Sequence, residues 1–266
     1  MRLLDFFASH PVFTYEECAE FMDSIGSRSA RTREALLAHH IRTGRIIRVK
    51  RGLYVSVPYG SDSDKFQIDP FLLAGKMTDD AVLAYHTAFQ FYGKAHSSQE
   101  RFLFLTTKAV RPANFRGYEF RGLGFPKSLV RLNQEFFAVE TAERLGLSLR
   151  VTSLERTLVD VLDRPLLGGG WEEIWRSLES VEYLDLDKVV DYSAILGNSS
   201  TIAKLGYFLE MRRDILFVGD THLEHLRRNI PKQPTYMEKN TVGRLVKKWN
   251  LMVPLKVYEQ TWNEIY

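Results

Sequence analysis

The side chains whose types and spacing could act together are the cations between residues 28 and 58. Arg28, Arg31, Arg33, Arg42, Arg45, Arg48, Lys50 and Arg51 stand there against one acid, Glu34. Guanidinium groups pair bidentately with phosphates or guanine edges, and a lysine supplies a point charge, so the chemistry on offer is polyanion neutralisation. The net charge of +3 over 266 residues conceals this block. Counted by segment, residues 1–27 come to −4, 28–58 to +7, 108–131 to +5, 132–226 to −8 and 227–256 to +7. The two later basic blocks could also attract a polyanion, or mix in space with acidic segments and cancel.

Catalytic constellations are sparse. Gly168-Gly169-Gly170 precedes a helical stretch but lacks the spacing and the lysine of a phosphate loop, so it reads as a hinge or turn. Asp185-Leu186-Asp187 has the paired acids of a nucleotidyltransferase, but the Gly-Ser turn that should precede them follows at 197–200. Glu238-Lys239 lacks the intervening residue of a nuclease motif. His86 has no nucleophile or metal ligand spaced to join it, and His222 and His225 lack an evident third ligand. Cys18 is the single cysteine, which excludes an intramolecular disulfide and a cysteine-rich zinc site. The expectation is a protein that is not an enzyme, with no catalytic residues, no metal and no cofactor. A metal-dependent nuclease or nucleotidyltransferase is the alternative if Asp160, Asp163, Asp185 and Asp187 share one cleft.

The elements that must position the first basic block are legible around it. Residues 2–9 suit a short amphipathic helix stopped before Pro11. Thr14 and Glu17 form a capping box, opening a helix over 15–24 that buries Cys18, Phe21 and Met22. A third helix starts near 27–29 and runs to about Thr43, with Gly44 ending it. At 100° per residue, Ala30, Arg33, Leu36, Leu37, His40 and Ile41 share a core side. Arg28, Arg31, Ala35, Ala38 and Arg42 share the other side, with Thr32 and His39 at its margin. Small alanines between arginines suit a helix lying in a DNA major groove. Alternation then predicts strands Arg45–Val49 and Leu53–Val57, joined by the cationic turn Lys50-Arg51-Gly52. Helix, helix, basic helix and basic-tipped hairpin together describe a winged helix-turn-helix.

Pro58–Asp64 is turn-rich, which places a boundary between a DNA-binding domain at 1–60 and a larger body at 61–266. In that body, helices are expected at Pro70–Met77, Ala81–Tyr92, 153–163, 171–180, 186–196, 200–212, 221–228 and, less clearly, 240–250. Strands are expected at Phe102–Thr106, Tyr118–Gly122, Phe136–Glu140 and Leu149–Val151. Strands cluster before a run of helices, so the fold class is α+β: a winged helix-turn-helix followed by a larger mixed α/β C-terminal domain. No run of 18 apolar residues predicts a membrane span, the N-terminus lacks the pattern of a signal peptide, and a cytoplasmic location is expected.

Several motifs add up to a family likeness. They are Arg51-Gly52-Leu53-Tyr54-Val55, Ala84-Tyr85-His86-Thr87-Ala88 and Val151-Thr152-Ser153-Leu154-Glu155-Arg156-Thr157-Leu158-Val159-Asp160. Asp163-Arg164-Pro165 and the triple glycine follow. On these the chain resembles the AbiEi family of antitoxin transcriptional regulators from type IV toxin–antitoxin systems. The resemblance implies a bacterial repressor of its own operon, in an abortive-infection setting, whose neighbour is a nucleotidyltransferase-like toxin. It implies that the winged helix binds promoter repeats and that the larger domain serves antitoxicity or assembly.

The site expected on this reading is specific. Arg28, Ser29, Arg31 and Thr32 contact bases in the major groove. Lys50 and Arg51 grip phosphate or the minor groove from the wing, and Arg42, Arg45 and Arg48 are secondary phosphate contacts. The partners are double-stranded operator DNA, a nucleotidyltransferase-like toxin met directly or only functionally, and a second copy on paired repeats. The main alternative is an antitoxin working by protein or RNA binding through the C-terminal domain, with blocks 108–131 and 227–256 as its contacts.

Overall fold

The computed structural model describes residues 3–26 and 29–261. The chain opens with α1 (Leu3–Ser9), β1 (Val12–Thr14), α2 (Tyr15–Ser24), α3 (Ala30–Arg42), β2 (Ile46–Lys50) and β3 (Leu53–Ser56). It continues through α4 (Pro70–Gly75), β4 (Val82–Leu83), α5 (His86–Phe91), β5 (Arg101–Leu105), β6 (Ala113–Phe115), β7 (Tyr118–Leu123), α6 (Lys127–Arg131), β8 (Val139–Arg144) and β9 (Leu147–Thr152). It ends with α7 (Leu154–Asp163), α8 (Trp171–Glu179), α9 (Leu186–Leu196), α10 (Ser199–Met211), α11 (Asp220–Arg227), β10 (Thr235–Tyr236), β11 (Gly243–Val246), β12 (Leu251–Pro254) and α12 (Leu255–Glu259). This is an α+β chain in which a winged helix precedes a larger mixed region.

By its internal contacts the chain divides into two compact units. One comprises 1–83, 100–122 and 141–150; the other comprises 84–99, 123–140 and 151–266. The boundary expected at residue 60 falls inside the first unit. The winged helix nevertheless has its own core of Phe6, Phe7, Phe13, Cys18, Met22, Leu37, Ile46 and Tyr54. Phe13 lies at its centre, stacked on Phe7 with ring centroids 5.4 Å apart and on Tyr54 at 5.5 Å. Cys18 is sealed in the same core, and burial pushes its thiol up to about 11.

Local chemistry starts these helices. The Thr14 hydroxyl accepts from Glu17 N at 3.2 Å while the Glu17 carboxylate accepts from Thr14 N at 2.8 Å, so the capping box is formed. Ser29 caps α3, its hydroxyl accepting from Thr32 N. The hairpin of β2 and β3 turns at Arg51-Gly52, where Gly52 takes φ +80°. One strand escaped the sequence pattern: three-residue β1 pairs antiparallel with β3 and completes a sheet in the order β1-β3-β2. A run of three residues carries too little alternation to announce a strand.

The first unit also holds α4 and most of a six-stranded sheet in the order β6-β7-β5-β4-β9-β8. The helix expected over Ala81–Tyr92 is replaced here. Val82 and Leu83 pair antiparallel with Leu105 and Phe104, and Tyr85 at φ +56° then turns the chain into the short α5. The strand expected at Phe136–Glu140 starts later, at Val139, because Ala138 has a left-handed φ of +49°.

The second unit is built around α7, whose Leu158, Val159, Val161 and Leu162 are fully buried. The motif over 151–160 supplies structure there. Ser153 caps α7, and the Thr152 and Thr157 hydroxyls share a 2.8 Å hydrogen bond. Arg156, fully buried, reaches Asp160 at 3.3 Å and the carbonyls of Glu135 and Phe137 at 2.7 Å, while the Tyr192 hydroxyl donates to Asp160 at 2.6 Å. The triple glycine is a packed turn: Gly169 and Gly170 both take φ +92°, and a Cβ on Gly168 would collide with Ile174. The helix expected over 240–250 is instead β11 followed by one 3₁₀ turn. Gly243 lies against the Val253 backbone, closer than any side chain would permit, in a small sheet of order β10-β12-β11.

His86 is wholly buried in this unit, with Nε2 3.0 Å from Glu173 Oε1 and Nδ1 3.0 Å from Gln90 Oε1. Glu173 also accepts from the Ser97 amide at 2.9 Å and the Ser97 hydroxyl at 2.7 Å. Burial alone would raise the Glu173 pKa, but the donors from Ser97 and His86 outweigh it and hold the carboxyl below its ordinary range.

Two stability outcomes follow. Phe13→Ala empties the centre of an aromatic core and should cost about 3–5 kcal/mol in urea denaturation. Glu173→Gln should cost about 1.5–3 kcal/mol at neutral pH, the contribution of hydrogen bonds to a charged group. A depressed carboxyl pKa stabilises above the unfolded pKa, and this is lost as pH falls through the folded value. The Glu173→Gln deficit should therefore shrink below the carboxylate range.

Candidate nucleic-acid interface on the winged helix

The face of α3 turned from the core is built by elimination. Leu37 is buried, Leu36 and His40 are half-buried, and Arg33 is fixed on the same side by a 2.8 Å pair with Asp23. His40 meets Phe7 edge-on at 5.1 Å, and burial, then the neighbouring His39 and Arg45 charges, lower its pKa. With those positions turned inward, Arg31, Thr32, Glu34, Ala35, Ala38, His39 and Arg42 are exposed. Two residues assigned to the core side from periodicity, Ala30 and Ile41, are exposed instead. They sit at the margin of a stripe that only Leu37 anchors deeply. Phe21, expected to be buried in α2, is half-buried and packs against the core.

Arg45, just before β2, Arg48 on it and Arg51 in the hairpin turn are also exposed. Among the described residues, Arg31, Arg42, Arg45 and Arg51 form no ion pair. Arg48 donates to the Lys50 carbonyl at 3.4 Å. Ser29 is exposed at the start of α3 with its hydroxyl committed to the cap. Arg28 lies outside the described residues.

Between α3 and the hairpin runs a cleft of about 590 Å³, lined by Ala38, Ile41, Arg48 and Arg51 together with Glu16 and Glu34. The two acids were missed as site residues. Glu34 was visible in the sequence as the single acid of the block, but Glu16 comes from α2 and only the fold brings it there.

Lys50 is corrected by the structure. Its ammonium does not extend from the wing tip but donates to the Met77 carbonyl at 2.6 Å, and burial lowers its pKa. The wing turn has a second tie, from Tyr15 N to the Gly52 carbonyl at 2.8 Å. Lys50 thus anchors the hairpin, and the exposed cation of the turn is Arg51. The partner carbonyl is remote in sequence, so no local pattern signals it.

The acids considered for metal chemistry are engaged separately. Asp160 is held by Arg156 and Tyr192, and Asp163 accepts from Asn198 at 2.8 Å and Thr201 at 2.7 Å. Asp185 caps α9, and Asp187 meets His222 at 3.1 Å. No group of three His, Cys, Asp or Glu residues among the described ones is arranged to hold a metal ion. No described helix is long and apolar enough to cross a membrane.

Comparisons with known proteins agree with the family likeness at the N-terminus. Residues 1–57 match a family model described as a transcriptional regulator, AbiEi antitoxin. The whole fold resembles the crystal structure of the RV2827C protein from Mycobacterium tuberculosis, with a TM-score of 0.63 over 98% of this chain and 93% of that one. The two share 14% identity, a likeness of fold. No curated protein matches the sequence.

Lys50→Ala should lower stability by about 1.5–3 kcal/mol, through loss of a charge-assisted bond to a carbonyl. Any loss of DNA affinity in that variant should leave the salt dependence unchanged. A fall in the slope of log K against log salt would show that Lys50 meets phosphate after all.

Proposed function

We propose that this chain, whose first 57 residues carry an AbiEi-type regulator domain, is a DNA-binding transcriptional repressor and antitoxin. Residues 1–60 are its DNA-binding domain, and residues 61–266 serve antitoxicity or assembly. α3 enters the major groove of operator DNA through Arg31 and Thr32, with Arg28 and Ser29 at its start. Arg51 holds phosphate or the minor groove from the wing, and Arg42, Arg45 and Arg48 neutralise flanking phosphates. The protein represses its own operon in the cytoplasm, binds repeats as a pair of copies, and antagonises a nucleotidyltransferase-like toxin without catalytic chemistry of its own.

The observation that carries this reading is the sorting of side chains in the first unit. The apolar side of α3 fills an aromatic core, while its outer side and the hairpin expose Arg31, Arg42, Arg45, Arg48 and Arg51. Ala35 and Ala38 lie between the arginines and allow close approach to base edges.

Arg31 and Arg51 have different roles on this account. Arg31→Ala should cost about 1–3 kcal/mol on operator DNA and relax preference at one base pair. Arg51→Ala should weaken binding to all sequences and lower the salt slope by about one. Equal losses on operator and random DNA in both variants would contradict this division.

A second reading, in which the C-terminal body acts through protein or RNA, draws support from the block at 227–256. Arg228, Lys232, Lys239, Lys247 and Lys256 are exposed there and form no ion pair among the described residues. The full chain carrying Arg31→Ala and Arg51→Ala separates the two. Relief of toxicity by a variant that has lost operator binding would place antitoxicity in the body.

A further inference from the structure

Away from the helix–wing face, the first unit contains a cavity of about 430 Å³ beside the end of α4. Its wall brings together two cations, Lys76 and Arg150, and four hydroxyls, from Thr14, Thr78, Thr141 and Ser148. Gly75 lets the end of α4 press against Leu149 of β9, where a Cβ would collide with the leucine side chain. The acids on the wall are already engaged. Glu17 gives one oxygen to the capping box and the other to Lys76, and Asp79 pairs with Lys108 at 2.6 Å. The Arg150 guanidinium donates to the Asp79 carbonyl. Two cations and several hydroxyls lining one concave site make a donor set suited to a phosphate group.

The same wall holds the wing. Lys76 pairs with Glu17, whose capping box fixes the start of α2, and the next amide, Tyr15 N, donates to Gly52 in the wing turn. One residue beyond Lys76, the Met77 carbonyl accepts from Lys50. Two adjacent residues after α4 therefore hold both the start of α2 and the base of the hairpin.

We propose that this cavity is an effector site for a small phosphorylated anion, and that filling it draws Lys76 from Glu17, loosens the wing and weakens DNA binding. The second half rests on the DNA-binding reading above; the first does not.

Inorganic pyrophosphate serves as the probe, with the full chain and ionic strength matched with chloride. Calorimetric titration should show saturable one-site binding. Arg150→Gln and, independently, the surface variant Thr141→Val should weaken it, the former by about tenfold for loss of a charge-assisted contact. Circular dichroism confirms that each variant is folded. Saturating pyrophosphate should then lower operator affinity about fivefold or more, a coupling of ordinary allosteric size. In Arg150→Gln this effect should require about tenfold more pyrophosphate, whereas direct competition at the arginine face would keep the parent's concentration dependence. Absence of saturable binding, or binding equal in both variants and the parent (an adventitious anion only), overturns the site. Binding that leaves operator affinity unchanged overturns the coupling. If the parent chain does not bind its operator, the DNA reading has failed, and the titration still decides the cavity.

Discussion

The candidate interface depends on the burial of Phe13. This ring comes from a three-residue strand, yet it stacks on Phe7 of α1 and on Tyr54 of β3, and Phe6 meets it edge-on. Leu37 joins the same cluster from α3. Because α3 must turn Leu37 inward, its rotation is set, and the arginines on the opposite side have only solvent to face. A charge pattern in the sequence thereby becomes a surface. The residues that make this surface do not hold the fold; aromatic packing does.

Separation of roles recurs among the cations. Arg33, Lys50 and Lys76 contribute to the positive count but point inward, to Asp23, the Met77 carbonyl and Glu17. Arg156 is fully buried and organises α7. A formal charge block therefore overstates the charge that a partner could meet. Within residues 29–58 the exposed arginines lie on α3, just after it and on the hairpin, with Ala35 and Ala38 between those of α3.

Elements with local signals were legible in the sequence. Thr14 with Glu17, Ser29, Ser153 and Asp185 each mark a helix start because the cap and its amide lie within three residues. The hairpin was legible from alternation and Gly52. Elements made by distant partners were not. β1 exists through β3, Val82 and Leu83 are strand through β5, and β11 is strand through β12. The candidate site divides in the same way. Which side of α3 holds Arg31 and Arg42 follows from periodicity, whereas the inward turn of Lys50 and the approach of Glu16 depend on tertiary contacts.

The central claim is that the exposed arginine face meets the phosphates of the chain's own upstream DNA. The most direct measurement is the affinity of the full chain for that DNA and for random duplex across a salt series. The four arginines assigned to phosphate, Arg42, Arg45, Arg48 and Arg51, imply a slope of log K against log salt of about −3.6 per bound copy, at roughly 0.9 per neutralised phosphate, with tighter binding to the upstream sequence. A slope near zero, or equal affinity for both duplexes at every salt concentration, would contradict the account.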